Sequence, residues 1–329
     1  MKFTLRHKLL AAFAGLATLV MVVGAIGTFG ARSMGQIFLD YRETSKASLI
    51  YNDMKLRLEA AQRSAFIWRT TQSDAQVARF NEQIDIFIHD ADLQGMADEH
   101  AHADEYRHAF EQALHHQTEQ DGYAATQSTL GPQIRTKITD IMRASYESGD
   151  VEAAYHAGVA QEHLMLGRFY AERFLRTNNP TYSDRAYSEF EIAHAELDIL
   201  AQQLTDPERV TLAQTSVAQL TEFEAAFLNA VASIQARNTA LAELDRLGPI
   251  MEETAEVARL ESVTHQNELG PIAEGQVAST QTTVLIASIG VLIIALVIGY
   301  LVSTNLSKLL QRITQSMSSL AGGDKTIDV

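Results

Sequence analysis

The chain has 329 residues, more than one ordinary domain needs, and it contains no cysteine. The missing thiols exclude a disulfide framework, a thiolate zinc site and thiol catalysis. A net charge of −15, with few aromatic residues and few prolines, is typical of an acidic, all-helical protein and argues against nucleic-acid binding.

Two long uncharged stretches lie near the ends of the chain. The first covers 23 residues after Lys8, and the second covers 33 residues before Lys308. Because about 20 apolar residues cross a bilayer as a helix, we predict transmembrane helices at residues 9–31 and 280–303. The alternative for the first stretch is a cleaved signal peptide. Its apolar run is longer than the usual 7–15 residues, and no clean A-x-A site follows, so an uncleaved anchor is favoured.

Basic residues lie between each predicted span and the nearer end of the chain, namely Lys2, Arg6, Lys8, Lys308 and Arg312. The positive-inside rule therefore places residues 1–8 and 304–329 in the cytoplasm and residues 32–275 outside. Without the charges of the cytoplasmic ends, 20 basic and 39 acidic residues remain, so the outer domain carries −19. Such a surface repels nucleic acid and anionic lipid, and an anionic ligand needs a local basic pocket.

The outer domain is predicted to be helical nearly throughout, in six helices. Helix 1 continues from the first span to about Thr71. Its buried face steps by three and four residues through Ala47, Ile50, Met54, Leu58, Ala61, Ala65 and Trp68. The other predicted bounds are Asp74 to Met96 for helix 2, Asp104 to Ser148 for helix 3, 150–177 for helix 4, 181–204 for helix 5, and Pro207 onward for helix 6. The polar stretch ADEHAHAD, residues 97–104, is predicted to be a turn.

The chain contains an internal repeat. The tripeptide Leu-Gly-Pro starts at Leu130, Leu247 and Leu269. EYRHAFEQAL (105–114) aligns with EFEAAFLNAV (222–231) at an offset of 117 residues, and the first two Leu-Gly-Pro copies share that offset. Helices 1–3 are therefore predicted to be an old duplicate of helices 4–6.

The predicted helix lengths indicate how the duplicate halves fit together. At about 1.5 Å per residue, helices 3 and 6 are far longer than helices 2, 4 and 5. Two stacked four-helix bundles satisfy these lengths when both long helices take part in both bundles. Pro132 and Pro249 then lie where each long helix changes neighbours, and a kink or break is expected there. Alternatively, Gly-Pro ends one helix and starts the next.

A transmembrane hairpin that encloses such a domain resembles the helical bimodular sensor family of bacterial chemoreceptors and some histidine kinases. The tail LLQRITQSMSSLAGGDKTIDV, residues 309–329, is similar to the first helix of a HAMP linker, with its pattern P-L-x-x-L-T, a heptad stretch and A-x-G-D. The matching residues are Leu310, Ile313, Thr314, Met317, Leu320, Gly323 and Asp324. Leu309 stands where the pattern has proline.

The resemblance implies a symmetric homodimer in the inner membrane of a bacterium, with its sensor domain in the periplasm or outside. It also implies that the domain binds a small organic acid and signals through HAMP to cytoplasmic kinase and adaptor proteins. We expect no catalysis and no cofactor, since P-loop, G-x-S-x-G and HExxH motifs are missing. Two alternatives stay open: the sensor half of a histidine kinase, and a metal-binding or purely structural helical bundle.

Arginine is the expected partner of a carboxylate ligand, because its planar guanidinium donates two parallel hydrogen bonds. The candidate residues of the lower bundle lie on helices 1 and 6 and are Arg57, Arg63, Trp68, Arg69 and Arg246. Those of the upper bundle lie on helix 4 and are Arg168, Tyr170, Arg173 and Arg176. Alternatively, these arginines are solvated partners of an acidic surface, or charges that favour a helix C-terminus.

Histidines between residues 89 and 108 offer a weaker metal hypothesis. The candidate ligands are His100, His102 and His108, because imidazole and carboxylate donors suit Zn, Ni or Cu. A solvated polar loop and a pH response through the same histidines are the alternatives.

Overall fold

A computed structural model describes the backbone of residues 5–321, without the side chains of Leu5, Ser316 and residues 319–321. Within that range the chain forms six helices and no strand. They are α1 (Leu5–Thr71), α2 (Asp74–Leu93), α3 (Ala97–Glu147), α4 (Val151–Thr177), α5 (Pro180–Gln203) and α6 (Pro207–Ala321). The all-α prediction is confirmed, and most predicted ends lie within a few residues of the observed ones.

The stretch predicted to be a turn, residues 97–104, forms the first turns of α3, so that prediction was wrong. The chain reverses just before it, at Gly95, whose φ of +68° is a conformation that favours glycine. Asp98 and Glu99 lie in the first turn of α3, where carboxylates stabilise the positive end of the helix dipole. The polarity of this stretch therefore marks the start of a helix.

All three Leu-Gly-Pro tripeptides lie inside continuous α-helix. The alternative in which Gly-Pro ends one helix and starts another is therefore wrong, whereas a kink at Pro132 or Pro249 stays a prediction. The glycines of the first two copies lie close to side chains of neighbouring helices, whereas Gly270 does not. A Cβ at Gly131 would lie 2.6 Å from Nε of Arg168, and one at Gly248 would lie 2.8 Å from Nε2 of Gln62.

Two compact units divide the chain, residues 54–255 and a terminal unit of the described residues before 54 and after 255. In the terminal unit α1 packs against α6. Ser262 donates its Oγ–H to the carbonyl oxygen of Thr44 at 2.9 Å, and Gly30 touches the side chain of Thr280.

The helices α1 and α6 are both suited to a membrane. Each contains an 18-residue window that is long and apolar enough to cross a bilayer, and neither window is buried. This confirms the two apolar helices and suggests a membrane protein. Gly323 and Asp324 of the HAMP pattern lie outside the described residues.

The central unit contains two groups of packed side chains. In the first group, Trp68 of α1 and Phe80 of α2 contact Phe110 of α3, with ring centroids 5.3 and 3.9 Å apart. The buried stripe predicted on helix 1 is confirmed for Met54, Leu58, Ala61, Ala65 and Trp68.

The second group is a core cluster formed by α3, α4, α5 and α6. Phe190 of α5 packs edge-on against Phe223 of α6 at 5.3 Å between ring centroids. Ile138 from α3 and Leu164 from α4 are fully buried in the same cluster. The helices α3 and α6 thus contribute to this core and also border the first group.

Candidate functional site

The first cavity of interest, which we name the upper cavity, lies between α3, α4 and α6 and has a volume of about 430 Å³. Its polar lining consists of Gln127 and Ser128 from α3 and Arg168 and Glu172 from α4. Phe223 of α6 closes one side. A volume of this size is typical of sites for small molecules.

Arg168 is the cation of the upper cavity. Its side chain lies against Gly131, and its Nη1 lies 3.8 Å from the Sδ of Met165, which is only a weak acceptor. Among the described residues, no carboxylate forms a salt bridge with Arg168. Burial, and then the positive charge of Arg135, lower the pKa of Arg168, and the carboxylate of Glu172, which lines the same cavity, opposes them. An anion in the cavity would give the guanidinium the direct partner that it lacks.

Gln127 adds a second donor to the same cavity. Its side chain is 7% exposed, and its Nε2 is buried with no hydrogen-bond partner in the described part of the chain. A buried donor left unpaired costs about 1–3 kcal/mol. The amide and the guanidinium together therefore favour a ligand that brings acceptor oxygens, as a carboxylate does.

A second cavity, which we name the lower cavity, has a volume of about 290 Å³ and lies between α1, α3 and α6. Arg69 lines it but already has a partner. Its Nη2 and Nη1 donate to Oδ1 and Oδ2 of Asp245 at 2.5 and 3.2 Å. Nη2 also donates to the carbonyl oxygen of Leu241 at 3.3 Å, while Nε is buried without a described partner. The cation of the lower cavity is thus neutralised by the protein itself.

Tyr106 is the buried phenol of the lower cavity. Burial raises the pKa of Tyr106, an effect that Arg69 opposes and Asp245 reinforces to smaller extents. The phenol therefore stays protonated at neutral pH and is a hydrogen-bond donor.

Both cavities occupy equivalent places in the two halves of the internal repeat. The offset of 117 residues pairs positions of the upper cavity with positions of the lower one, namely Gln127 with Leu244, Ser128 with Asp245, and Phe223 with Tyr106. The glycine of a Leu-Gly-Pro copy also touches a lining residue in each half. The two cavities therefore share one scaffold and differ in the side chains placed on it.

The structure does not bring the five predicted residues of the lower site together. Arg69 is the one that lines the lower cavity. The other four lie elsewhere: Arg57 donates to Oε1 of Gln83, Arg63 is exposed, Trp68 is buried against Phe110, and Arg246 pairs with Glu243.

For the upper site, Arg168 alone of the four predicted residues lines the cavity. Arg173 lies over the ring of Tyr182, 4.9 Å from its centroid, and Tyr170 stacks on the same ring. Arg176 is exposed and lies 3.9 Å from Glu172. Sequence reasoning missed Gln127, which lies one turn before the first Leu-Gly-Pro and has Leu244 as its equivalent in the other half.

The three predicted metal ligands do not converge on one point. Nδ1 and Nε2 of His100 lie 2.6 Å from Asp92 and 3.2 Å from Asp104. His102 lies 3.6 Å from the buried carboxylate of Glu99. His108 lies beside Gln112, with 3.0 Å between the two Nε2 atoms.

Comparison with known proteins does not supply a family. No family model matches the chain, and a search of curated proteins finds no match. The two apolar helices and the two cavities are therefore the features that bear on function.

Proposed function

We propose that this protein is the input half of a transmembrane chemoreceptor of the helical bimodular type, and that it binds a small organic acid in the upper cavity. One observation carries this proposal. Arg168, which lacks a salt bridge among the described residues, and Gln127, whose Nε2 has no described partner, both line this cavity. Because the outer domain carries −19, an anionic ligand needs local donors of this kind.

The proposed architecture is two stacked four-helix bundles that share α3 and α6. The aromatic contacts among α1, α2 and α3 support the lower bundle, and the core cluster of α3–α6 supports the upper one. Both chain ends lie in the cytoplasm of a bacterium, and the outer domain lies in the periplasm or outside. The receptor acts as a homodimer and signals to cytoplasmic kinase and adaptor proteins.

α6 supplies the route for the signal in this proposal. It is one helix from Pro207 to Ala321, and it contributes Phe223 to the upper cavity and Asp245 to the lower one. A ligand that binds one packing of α6 more tightly than another shifts the population toward that packing. The shift passes along the helix to the second span and to the HAMP-like tail at 304–329.

Ligand-dependent melting of the full chain in lipid nanodiscs tests the proposal. The panel contains acetate and dicarboxylic and tricarboxylic acids of four to six carbons. We expect one or more acids to raise the Tm as their concentration rises, because ligand binding stabilises the native state. Arg168→Gln is expected to weaken binding about 30-fold or more, the typical cost of losing a charged partner.

Arg173→Gln is the matched control, because it removes an exposed arginine of the same helix that lies over the ring of Tyr182 and does not line the cavity. It should leave the ligand-induced shift in Tm unchanged. A panel in which no acid raises the Tm, or in which Arg168→Gln keeps the full shift, contradicts the proposal.

The alternatives make different predictions. A histidine kinase with the same input domain predicts the same acid binding and differs in its cytoplasmic output. A purely structural bundle predicts no response to any acid in the panel.

A further inference from the structure

A cluster of potential metal ligands lies on α3, outside both cavities. His115, His116 and Glu119 place two imidazole nitrogens and a carboxylate oxygen within 4.8 Å of one another. Nδ1 of His116 lies 2.9 Å from Oε2 of Glu119, and Nε2 of His115 lies 3.5 Å from Oε1. Residues three and four apart are neighbours on a helix, so both imidazoles reach the same carboxylate.

The carboxylate is held from a second helix. Ser233 of α6 donates its Oγ–H to Oε2 of Glu119 at 3.2 Å. Hydrogen bonds in which a neighbouring residue orients a metal-ligating side chain are characteristic of protein metal sites.

The cluster lies where α3 and α6 are joined by polar side chains. Arg237 of α6 donates to Oε1 of Gln117 and Oε1 of Gln120, at 2.5 and 2.8 Å. Gln120 and Arg237 are 117 residues apart, so they are equivalent positions of the repeat in direct contact. Along both helices this contact falls between the residues that line the upper cavity and those that line the lower one.

We propose that His115, His116 and Glu119 form a binding site for a divalent transition metal, Zn²⁺, Ni²⁺ or Cu²⁺. Two imidazoles and one carboxylate are a donor set that these ions accept. Donor atoms around one tetrahedral zinc lie roughly 3–4 Å apart, given metal–ligand distances of about 2.0–2.2 Å. His115 and His116 therefore need only small side-chain rotations to share one metal ion with Glu119. Three protein ligands leave a position for water.

Two other histidines show what distinguishes this cluster. His265 lies 4.0 Å from Glu268, three residues further along α6. Among the described residues, this pair does not form part of a cluster of three potential metal ligands. His100 has two carboxylate partners, but Asp92 contacts its Nδ1 and Asp104 contacts its Nε2, so the two carboxylates lie on opposite sides of the ring.

Titration calorimetry of the full chain in nanodiscs, without a histidine tag, tests the site with ZnCl₂, NiCl₂ and CuCl₂. We expect one equivalent of metal per chain. His116→Gln and Glu119→Gln should each weaken the binding about tenfold or more, and Ser233→Ala should weaken it by up to about tenfold through the orientation of Glu119. His115→Gln changes a side chain that is 68% exposed, so it tests the ligand set with little effect on folding.

His265→Gln is the matched control, because it removes a histidine with one carboxylate partner at the same spacing. It should bind metal like the unmodified chain. The proposal is overturned if the chain binds no stoichiometric metal, or if the metal binds equally well after His115→Gln, His116→Gln and Glu119→Gln. Circular dichroism of each variant must show unchanged helicity for the comparison to count.

Discussion

The upper and lower cavities occupy equivalent positions of a duplicated scaffold, yet their charges are arranged in opposite ways. In the lower cavity Asp245 binds the guanidinium of Arg69 through both carboxylate oxygens. In the upper cavity the equivalent position is Ser128, whose hydroxyl donates to the carbonyl of Ala125. Arg168 has no salt bridge among the described residues. The lower cavity is thus neutralised by its own ion pair, whereas the upper cavity contains a guanidinium without one.

An acid also stands opposite a serine at a second, buried pair of equivalent positions. Glu99 is 2% exposed, and neither of its carboxylate oxygens has a hydrogen bond within the described residues. Its equivalent at the offset of 117 residues is Ser216, which is fully buried and donates to the carbonyl of Leu212 at 2.8 Å. At both pairs of positions one copy of the repeat carries an acid and the other carries serine, but the acid lies in the second copy at the first pair and in the first copy at the second pair.

The largest effect on acid binding should come from placing the carboxylate of the lower cavity at the equivalent position of the upper cavity. Ser128→Asp places a carboxylate in the cavity of Arg168, where it competes with the ligand for the guanidinium and repels it. We expect acid binding to weaken by at least about 30-fold. Calorimetry with the best acid of the panel measures this change, and Ser128→Asn, which adds volume without charge, should retain most of the affinity. Equal losses in both variants would show that volume, not charge, distinguishes the cavities.

The glycine beside Arg168 should have the next largest effect. In Gly131→Ala the new Cβ would lie 2.6 Å from Nε, so the guanidinium must move, and we expect about tenfold weaker acid binding. Gly122→Ala on the same helix is the control, because a Cβ at Gly122 would meet no side chain and no neighbouring helix within 4 Å. Since alanine favours helix over glycine, Gly122→Ala should instead raise stability by up to about 1 kcal/mol. Unchanged binding in Gly131→Ala would mean that the position of Arg168 does not matter.

A pH-dependent effect is expected at Glu99. Burial raises the pKa of Glu99, and the neighbouring polar groups of Thr254 and His102 oppose this effect. The folded chain therefore holds this proton more tightly than the unfolded chain. The stability linked to Glu99 falls as pH rises from the ordinary carboxyl range through the raised pKa. Glu99→Gln should stabilise the chain by about 1 kcal/mol at pH 8, and the gain should shrink toward pH 4. Thermal melts at both pH values measure it, and a constant difference would exclude titration as the cause.

The smallest effect on stability should come from the ion pair of the lower cavity. Because the Asp245 side chain is 63% exposed, Asp245→Ser should cost less than about 1 kcal/mol. The same variant places serine in the lower cavity, as Ser128 is placed in the upper one, and removes the carboxylate partner of Arg69. It should therefore add an acid-binding site. A second equivalent of acid in calorimetry would support this, whereas an unchanged stoichiometry would show that the lower cavity lacks other groups that the site needs.

The helices could be predicted from sequence, because apolar periodicity and uncharged length report directly on helix faces and spans. The start of α3 was missed because Asp98 and Glu99 have the polarity of a loop, although they stabilise a helix N-terminus. The cavities were harder to predict. A helical stripe shows which face is buried but not which neighbour buries it, so it could not show which arginine lines a cavity. Only packing shows that Arg69 faces Asp245, and that Gln127 has no partner among the described residues.

The most direct test of the account compares the two arginines. Calorimetry with the acid that most stabilises the full chain in nanodiscs would be run on Arg168→Gln and Arg69→Gln. The account predicts that Arg168→Gln loses binding by about 30-fold or more, whereas Arg69→Gln retains it. Loss of binding in Arg69→Gln with retention in Arg168→Gln would place the ligand in the lower cavity and contradict the account.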